Sequence, residues 1–367
     1  MDWFSLANEH ELASPSLVIH AERVEENLRR MLAISGSASR LRPHVKTHKL
    51  PQLVARQMEL GIQKFKCATI AEAEMVASAG ALDVLLAVQL VGPNIARFVQ
   101  LLRQFPSTRF SSLIDAPEPL DSLAKALQAA GETATLLLDL DVGQQRTGIV
   151  PGPAAFALYQ RLATLPGVRA GGLHAYDGHL HQSDPSVRKT ACDAAFAPVE
   201  KLRADLLAGG LSVPIVVAGG SPTFPIHANR PDVESSPGTC VLWDAGYAAN
   251  LPDLKFLPAA TLLTRVISRP AANRICLDLG HKAVASEMQH PRVVFPQLPE
   301  ARPVAHNEEH LVLETNMAGN IAVGTALHGI PWHVCPTVAL HANAFVARDG
   351  RVEETWPVNA RARCISI

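Results

Sequence analysis

The sequence predicts an α/β protein with a (β/α)8 TIM-like barrel followed by a smaller antiparallel β-domain. From residue 16 to about residue 220, short apolar runs alternate with longer segments whose apolar residues recur every three or four positions. That pattern is typical of strands alternating with amphipathic helices. Beyond about residue 251 alternating apolar runs dominate, and 367 residues are enough for two domains.

Eight apolar runs are predicted as the barrel strands, at residues 17–20, 41–45, 64–68, 83–88, 110–114, 134–140, 169–174 and 214–218. The predicted helices include residues 21–34, 71–79, 117–130 and 188–208. Strands that alternate with helices pair in parallel through right-handed crossovers. Eight such units favour a closed barrel over the alternative, an open doubly wound sheet. We assign residues 16–250 to the barrel and 251–367 to the C-terminal β-domain, with residues 1–15 associated with the latter.

The β-domain is predicted from five short runs, at residues 261–268, 274–279, 310–313, 337–341 and 344–347. Asp349-Gly350 follows the last of these and precedes another alternating run. An Asp-Gly pair between two such runs is typical of a two-residue hairpin. We therefore expect an antiparallel sheet in this part of the chain.

The composition excludes several classes of partner. The net charge is −1 and 18% of the residues are charged, which gives no electrostatic argument for nucleic acid or an anionic membrane. No apolar stretch has the length of a membrane span, and the first residues lack the pattern of a signal peptide. The six cysteines include no Cys-x-x-Cys unit, which favours a reducing compartment. We expect a cytoplasmic protein.

Residues 42–49, Arg-Pro-His-Val-Lys-Thr-His-Lys, carry the strongest chemical signal. A lysine among like charges at a partly buried position loses its proton more readily. A neutral lysine is an amine nucleophile that forms Schiff bases with carbonyl groups. Lys46 is therefore the candidate catalytic lysine, and a solvated basic surface run is the alternative.

Polar residues follow the predicted barrel strands in four places, and the C-terminal ends of barrel strands are where catalytic groups lie. The four places are Lys46, the loop at 141–148, the loop with His174, Tyr176, His179 and His181, and the turn at 219–223. A single polar loop is ordinary, because most loops are polar. Four polar segments on the same rim of the barrel instead indicate a functional site.

Two glycine-rich turns have the composition of a phosphate site, in which backbone amides and hydroxyls bind the anion. The candidate phosphate-binding residues are Gly219, Gly220, Ser221, Thr223, Gly238 and Thr239. Simple chain reversal is the alternative for either turn alone. A phosphate site beside an amine nucleophile indicates pyridoxal 5'-phosphate, a phosphorylated aldehyde cofactor. Arg146 would then hydrogen-bond the phenolic oxygen of its ring, or form a structural salt bridge.

His333-Val334-Cys335 is a candidate metal pair. Residues two apart on a strand point to the same face, so the imidazole and the thiolate would reach one ion. Nitrogen and sulfur ligands suit zinc, with manganese and magnesium as weaker alternatives. A buried pair of core residues is the alternative interpretation.

Five motifs together resemble the D-threonine aldolase / eukaryotic-type D-serine dehydratase family, whose members are fold-type III pyridoxal phosphate enzymes with an alanine racemase-like barrel. They are residues 42–49, residues 66–74 (Lys-Cys-Ala-Thr-Ile-Ala-Glu-Ala-Glu), Asp-Val-Gly-x-x-Arg-x-Gly at 141–148, Ala-Gly-Gly-Ser-Pro-Thr at 218–223 and His-x-Cys-Pro-Thr at 333–337. The first and the last are the specific ones. The similarity extends from about residue 15 to about residue 361.

The resemblance implies a homodimer and assigns roles to individual residues. Lys46, within the Pro-His-x-Lys segment that also contains His44, would bind the cofactor covalently. Arg146 and Tyr176 would lie near the ring oxygen and the ring nitrogen of the cofactor. His333 and Cys335 match the metal pair. One departure is Cys240, where a tyrosine is common in relatives, which weakens the assignment of phosphate contacts on that side.

The implied substrate is a β-hydroxy-D-amino acid, and two reactions remain open. Retro-aldol cleavage to glycine and an aldehyde needs a base for the hydroxyl proton, for which His179 and His181 are candidates. β-Elimination to a 2-oxo acid and ammonia is the alternative, which a cysteine in the metal pair favours. A non-catalytic pyridoxal phosphate-binding protein is a further alternative, and a cofactor-free metallohydrolase barrel is the least supported one.

Overall fold

The structure is a computed structural model that describes residues 2–367, and the chain divides into two compact units. Unit 1 comprises residues 2–31, 47–50 and 239–361, and unit 2 comprises residues 32–46, 51–238 and 362–367. Residues 16–31 and 239–250, which the sequence pattern places with the barrel, belong to unit 1. Among the described residues no helix combines the length and the apolar character needed to cross a bilayer.

The strands are numbered in chain order: β1 (Ser16–His20), β2 (Lys64–Cys67), β3 (Asp83–Gln89), β4 (Arg109–Ile114), β5 (Ala134–Leu140), β6 (Val168–Ala175), β7 (Ile215–Ala218), β8 (Val233–Ser235), β9 (Ala260–Ala271), β10 (Arg274–Leu277), β11 (Val293–Val294), β12 (Arg302–His306), β13 (Leu311–Glu314), β14 (Ala326–Pro331), β15 (Asn343–Arg348) and β16 (Arg351–Pro357). The α-helices are α1 (Ala21–Ser35), α2 (Pro51–Glu59), α3 (Ile70–Ser78), α4 (Pro93–Gln104), α5 (Pro117–Ala130), α6 (Pro153–Thr164), α7 (Pro185–Ala208), α8 (Phe224–His227), α9 (Ala245–Asn250) and α10 (Val334–Leu340).

Unit 2 is a parallel α/β barrel, as predicted. Its seven strands pair in the order β2-β3-β4-β5-β6-β7-β8, and every pair is parallel. The segment before Lys46 joins the two ends of this sheet, because Leu41 bridges Ser235 of β8 and His44 bridges Lys66 of β2, both in parallel. Leu85, Leu113, Leu137 and Val217 form an apolar cluster contributed by four of the strands.

Two of the eight predicted barrel strands are wrong in detail. Residues 17–20 form β1, which pairs with β9 and β15 in unit 1, because an apolar run does not reveal which sheet it joins. Residues 41–45 make isolated bridges rather than a strand, since Pro43 lacks the N–H that a ladder needs. The sequence prediction also missed β8, whose three residues are too few to show a period.

A buried ion-pair network fastens the bridging segment to the barrel. The guanidinium of Arg42, which is 1% exposed, donates to Asp83 at 2.6 Å and to Glu234 at 2.7 Å. Burial favours the neutral forms, but the two carboxylates raise the pKa of Arg42 above its ordinary value. Arg42 therefore ties the segment that precedes Lys46 to β3 and β8.

Replacing Arg42 by methionine is expected to destabilise unit 2 by about 3 kcal/mol, because it removes the buried cation between Asp83 and Glu234 and leaves these carboxylates only their more exposed partners, Arg109 and Lys64. The urea midpoint of the far-ultraviolet circular dichroism signal measures this loss. Arg161→Met is the control, since Arg161 pairs with Asp121 on the exposed surface, and such pairs contribute less than about 1 kcal/mol. Equal midpoints for the two variants would contradict the role given to Arg42.

Unit 1 is built on an antiparallel sheet, as predicted. Its strands run in the order β12-β13-β10-β9-β1-β15-β16, and β14 pairs with both β9 and β11. The predicted hairpin is confirmed: β15 and β16 pair up to Arg348 and Arg351, and Asp349 and Gly350 between them both have positive φ, at 47° and 72°. β1 is the exception to the antiparallel pattern, because it runs parallel to β15.

The predicted strand at residues 337–341 is wrong, because this segment lies mostly in helix α10. His333 is the N-cap of the helix and Cys335 lies in its first turn. His333 and Cys335 therefore do not share the face of a strand. Pro336 explains the difference, because proline is favoured in the first turn of a helix, where no backbone N–H donor is required.

Candidate active site

Three cationic side chains surround the ring of Tyr176 in the barrel. The guanidinium carbon of Arg146 lies 5.1 Å from the ring centroid, and the Nζ atoms of Lys66 and Lys46 lie 5.4 Å and 6.0 Å from it. Of these, Lys46, Arg146 and Tyr176 are predicted site residues, and the structure brings them together. The sequence prediction did not include Lys66 as a site residue, because β2 carries two lysines in four residues and no local pattern separates the buried one.

The main chain holds Lys46 at the end of the bridging segment. The amide of His44 donates to the carbonyl of Pro237 at 2.9 Å, and the amide of Lys46 lies 3.4 Å from Nδ1 of the His44 ring. Residues Val45–Thr47 then form a 3-10 turn. His44 therefore supports the backbone of Lys46 from the residue two positions before it.

Two glycines leave the space that the Tyr176 ring occupies. A Cβ atom at Gly178 would lie 2.5 Å from the ring, and one at Gly220 would lie 3.0 Å from it. Side chains at either position would displace the aromatic ring. The glycine after β7 therefore has a packing role beyond chain reversal.

A histidine–aspartate pair lies on the adjacent strands β5 and β6. Nδ1 of His174 and the carboxylate of Asp139 are 2.7 Å apart, and both side chains are buried. Burial lowers the pKa of His174 despite this carboxylate. Burial opposes ionisation of Asp139, but its hydrogen bond to His174 lowers its pKa. The Nε2 atom of His174 is buried and has no hydrogen-bond partner within residues 2–367, so it is available to a bound group.

The turn after β7 is fixed by hydrogen bonds. Gly219 has a φ of 78°, which favours glycine, and its amide donates to the carbonyl of Ala175 at 3.1 Å. The amide of Gly220 donates to Oγ1 of Thr223 at 3.3 Å. The amide of Gly238 donates to Oγ of Ser221 at 3.2 Å, which joins the two predicted phosphate turns.

Asp177 supports this turn from the end of β6. Its carboxylate accepts a hydrogen bond from Oγ1 of Thr223 at 2.8 Å and lies 2.9 Å from Nε2 of His227. Burial would raise the pKa of Asp177, but the hydrogen bonds from His227 and Thr223 lower it. Nothing in the sequence pattern singled out Asp177 or His227, because their pairing spans 50 residues.

Asp177, Cys192 and His227 have ligand atoms within 4.8 Å of one another, a spacing that a metal ion could use. The hydrogen bonds favour a closed polar network instead. His227 Nδ1 lies 2.9 Å from the Arg230 guanidinium, which makes Nδ1 the acceptor and leaves the proton on Nε2 facing Asp177. Burial raises the pKa of the Cys192 thiol to about 12, which keeps it protonated. The neighbouring guanidinium of Arg230 would also repel a metal cation bound at these three residues.

The barrel mouth fits a phosphorylated aldehyde cofactor. It offers amines for the aldehyde, a guanidinium for a ring oxygen and a glycine-rich turn for phosphate. The unpaired Nε2 atom of His174 is a further polar contact for a ring. Lys46 and Arg146 would hold the aldehyde and the neighbouring ring oxygen, Tyr176 would lie near the ring nitrogen, and the turn at residues 219–223 would hold the phosphate end.

The predicted metal pair lies in unit 1. Nδ1 of His333 is 2.5 Å from a carboxylate oxygen of Glu287. The Cys335 Sγ atom lies 3.2 Å from Oγ1 of Thr47 and 3.5 Å from Oγ1 of Thr239. Thr239, a predicted phosphate ligand, therefore contacts the metal pair.

The electrostatics of this pair suit a metal ion. Burial opposes protonation of His333, but Cys335 and then Glu287 raise its pKa to about 9. A cation could replace the proton that His333 and Cys335 share. A carboxylate on the other ring nitrogen is the usual partner of a metal-binding histidine, because it fixes the ring orientation. The pair therefore fits a divalent metal, and Glu287 is the supporting residue that the sequence did not reveal.

The two remaining predicted residues lie in the loop after β6. The His179 ring packs near Gly143, where a Cβ atom would lie 3.2 Å from Nε2 of His179. The Nδ1 atom of His179 is buried and lacks a hydrogen-bond partner among residues 2–367. His181 is exposed. His179 therefore lies beside the loop that carries Arg146, whereas His181 faces solvent.

Two family models match the chain: the N-terminal domain of alanine racemase at residues 19–242, and a putative serine dehydratase domain at residues 259–347. D-threonine aldolase from Arthrobacter sp. is 32% identical over 355 residues, which cover 95% of this chain and 92% of that protein. D-threo-3-hydroxyaspartate dehydratase from Delftia sp. is 26% identical, covering 94% of this chain and 97% of that protein.

A solved structure of D-threonine aldolase from Filomicrobium marinum is similar over the full length. Its TM-score is 0.89 at 30% sequence identity, and the match covers 96% of each chain. The order of the barrel strands and the antiparallel sheet of unit 1 are consistent with this match. The chain therefore belongs to the D-threonine aldolase / D-serine dehydratase family of pyridoxal phosphate enzymes with the alanine racemase fold.

Proposed function

We propose that this protein is a pyridoxal phosphate- and divalent metal-dependent lyase that cleaves β-hydroxy-D-amino acids to glycine and an aldehyde. The observation that carries the proposal is the placement of Lys46 and Arg146 on one aromatic ring beside a glycine-rich turn in the barrel. The names of the relatives support the substrate class, since they include a D-threonine aldolase and a 3-hydroxy-D-aspartate aldolase.

Each side chain at the barrel mouth has a task in this proposal. Lys46 would supply the amine that holds the aldehyde of the cofactor. Arg146 would donate to the ring oxygen, and Tyr176 would lie near the ring nitrogen. When bound, pyridoxal phosphate supplies an electron sink for the bond that breaks at Cα.

We propose that the phosphate lies at the two joined turns. The binding residues are those of the sequence prediction: Gly219, Gly220, Ser221, Thr223, Gly238 and Thr239. Several of their amides and hydroxyls already bond to one another, which fixes the shape of the turns before an anion arrives. Thr239 also contacts Cys335, so we give it the least weight.

His333 and Cys335 are the proposed metal ligands, and zinc is the proposed ion because it accepts nitrogen and sulfur donors. Glu287 would hold the His333 ring in the orientation for binding. A divalent ion at this pair supplies a Lewis acid for the β-hydroxyl group of the substrate. For the base that removes the hydroxyl proton we propose His179 rather than His181, because His179 has a buried nitrogen without a partner in the described chain and His181 is exposed.

β-Elimination to a 2-oxo acid and ammonia is the second candidate function. Cys335 in the metal pair and the similarity to D-threo-3-hydroxyaspartate dehydratase favour it. Both reactions use the same lysine, cofactor and metal. We also propose a cytoplasmic homodimer, and no disulfide is present among the described cysteines.

Substrate handedness tests the proposal. We expect acetaldehyde from D-threonine in a coupled alcohol dehydrogenase assay with the metal-loaded holoenzyme. The rate with L-threonine should be lower by at least about 100-fold, since a mirror-image centre cannot place its amine, carboxylate and hydroxyl on the same groups together. Equal rates with the two enantiomers would refute the assignment of D-stereochemistry.

Asp177→Asn is expected to weaken the binding of pyridoxal phosphate by about 10-fold while leaving the binding of pyridoxal unchanged. Asp177 fixes the proposed phosphate turn through Thr223, and asparagine keeps only a neutral, weaker acceptor for the Thr223 hydroxyl, a loss of up to about 1.5 kcal/mol. The change in cofactor absorbance on titration gives both dissociation constants. Asp193→Asn, at the outer end of the same network, is the control. Equal weakening for both ligands would contradict the role of Asp177.

A further inference from the structure

Lys66 is an ionisable residue that the proposed reaction does not use. It belongs to β2, and its amide donates to the carbonyl of Pro43, in the segment that leads to Lys46. The residue is 2% exposed, and its Nζ atom lies 5.4 Å from the centroid of the same Tyr176 ring that Lys46 faces. The two lysines therefore lie on neighbouring backbone segments and extend toward one aromatic ring.

Lys66 as a whole residue is 2% exposed. Burial at this level is costly for a lysine because it disfavours the charged form of the amine. The groups that influence Lys66 across the barrel are Lys46, Asp177, Asp139, Arg42, His174 and, over the same ring, Arg146.

Burial and, after it, the charge of Lys46 lower the pKa of Lys66 to about 7, although Asp177 and Asp139 oppose the shift. An ordinary lysine has a pKa of 10.5. Near neutral pH a substantial fraction of Lys66 is therefore an uncharged amine. Its protonation responds to any change of charge at the Tyr176 ring.

We propose that Lys66 is the proton store of this site, a positioning residue that takes up a proton when the amine of Lys46 is engaged by an aldehyde. This inference rests on the proposed cofactor chemistry. In this step Lys46 starts as the ammonium ion, whose charge acts on Lys66, and passes one proton to the uncharged amine of Lys66. The Lys46 amine would then bond to the carbonyl carbon, and its two remaining hydrogens would leave with the carbonyl oxygen as water. The site thus keeps a cation beside Tyr176 for an anionic substrate.

Proton counting during cofactor binding tests this role. We would titrate the apoprotein with pyridoxal phosphate at pH 7 by calorimetry in two buffers of different ionisation enthalpy. For each pyridoxal phosphate bound, the net proton count of the wild type should be higher than that of Lys66→Met or Lys66→Arg by about half a proton. The reason is that a group whose pKa is near the pH is half protonated before binding. The two variants should agree with each other, since neither side chain titrates near neutral pH.

The Lys66→Arg variant separates proton storage from simple loss of charge, because it keeps a cation but cannot release it. A structural lysine would leave the proton count unchanged in both variants, and that result would overturn the proposal. If the variants do not fold, the wild type alone is informative: the net proton release should be smaller at pH 8 than at pH 6, because Lys66 is mostly protonated already at pH 6 and accepts the Lys46 proton at pH 8. A pH-independent count would overturn the proposal equally well.

The stability of the apoprotein gives a second readout. Lys66→Met should be at least as stable to urea as the wild type, because it replaces a buried amine, whose charged form is disfavoured by burial, by an apolar chain of similar size. Clear destabilisation would indicate a structural role and would count against the proposal. Failure of every variant and of the wild type to bind pyridoxal phosphate would instead refute the proposed function.

Discussion

Lys46→Ala is expected to abolish the yellow absorbance band of covalently bound pyridoxal phosphate and to lower turnover by at least about 1000-fold. The physical reason is that the amine of Lys46 makes the covalent bond to the aldehyde. Lys66, on the same ring, is buried on β2, and we do not expect it to replace Lys46. Absorbance spectra and borohydride reduction followed by peptide mass spectrometry measure the loss.

Lys201→Ala is the matched control for this substitution. Lys201 pairs with Asp205 on the exposed surface of α7, and its removal should leave the spectrum and the activity unchanged. The circular dichroism spectrum shows whether the Lys46 variant is folded. A yellow band that survives Lys46→Ala, with the reduced cofactor found on another peptide, would refute the covalent role of Lys46.

Cys335→Ala is expected to weaken zinc binding by at least about 100-fold and to remove metal-dependent turnover, while the protein keeps its bound pyridoxal phosphate. The reason is that Cys335 supplies one of two proposed ligands, the other being His333. Competition with a chromophoric chelator gives the zinc affinity. Chelator treatment of the wild type should produce the same loss of turnover, and added zinc should restore it.

The pH dependence of zinc binding follows from the raised pKa of His333. Because this pKa is about 9, the imidazole holds a proton at pH 7 that a metal ion must displace. The apparent zinc affinity should therefore fall as the pH is lowered from 9 to 7, by about 10-fold per pH unit for each displaced proton. Cys276→Ala, in the same unit, should behave like the wild type. Full activity after exhaustive chelation would contradict the metal assignment.

The sequence predicts most of the fold because helix and strand periods differ so clearly. The predicted helix at 117–130 coincides with α5, and the others agree with α1, α3 and α7 to within a few residues. Local pattern does not encode the partner of a strand, so the run at 17–20 was assigned to the wrong sheet. Strand β8 has only three residues and helix α10 is short and contains a proline, so neither shows a periodic pattern of apolar residues in the sequence.

The candidate site was predictable only where chemistry and spacing coincide. Lys46 and Arg146 lie in motifs whose composition differs from that of ordinary loops. Asp177 and His227 come together only through a contact between segments that are distant in sequence, and no local sequence pattern predicts that contact. Lys66 was recorded only as part of a motif, because the sequence does not show that its side chain is buried.

The most direct test of the central claim is product analysis by NMR after incubating the metal-loaded holoenzyme with D-threonine. The account predicts glycine and acetaldehyde in equal amounts, with no product from the Lys46→Ala variant. 2-Oxobutanoate and ammonia would establish β-elimination in place of aldol cleavage. Unchanged D-threonine from a yellow, metal-loaded protein, with 3-hydroxy-D-aspartate and D-serine equally unreacted, would contradict the assignment as a β-hydroxy-D-amino acid lyase.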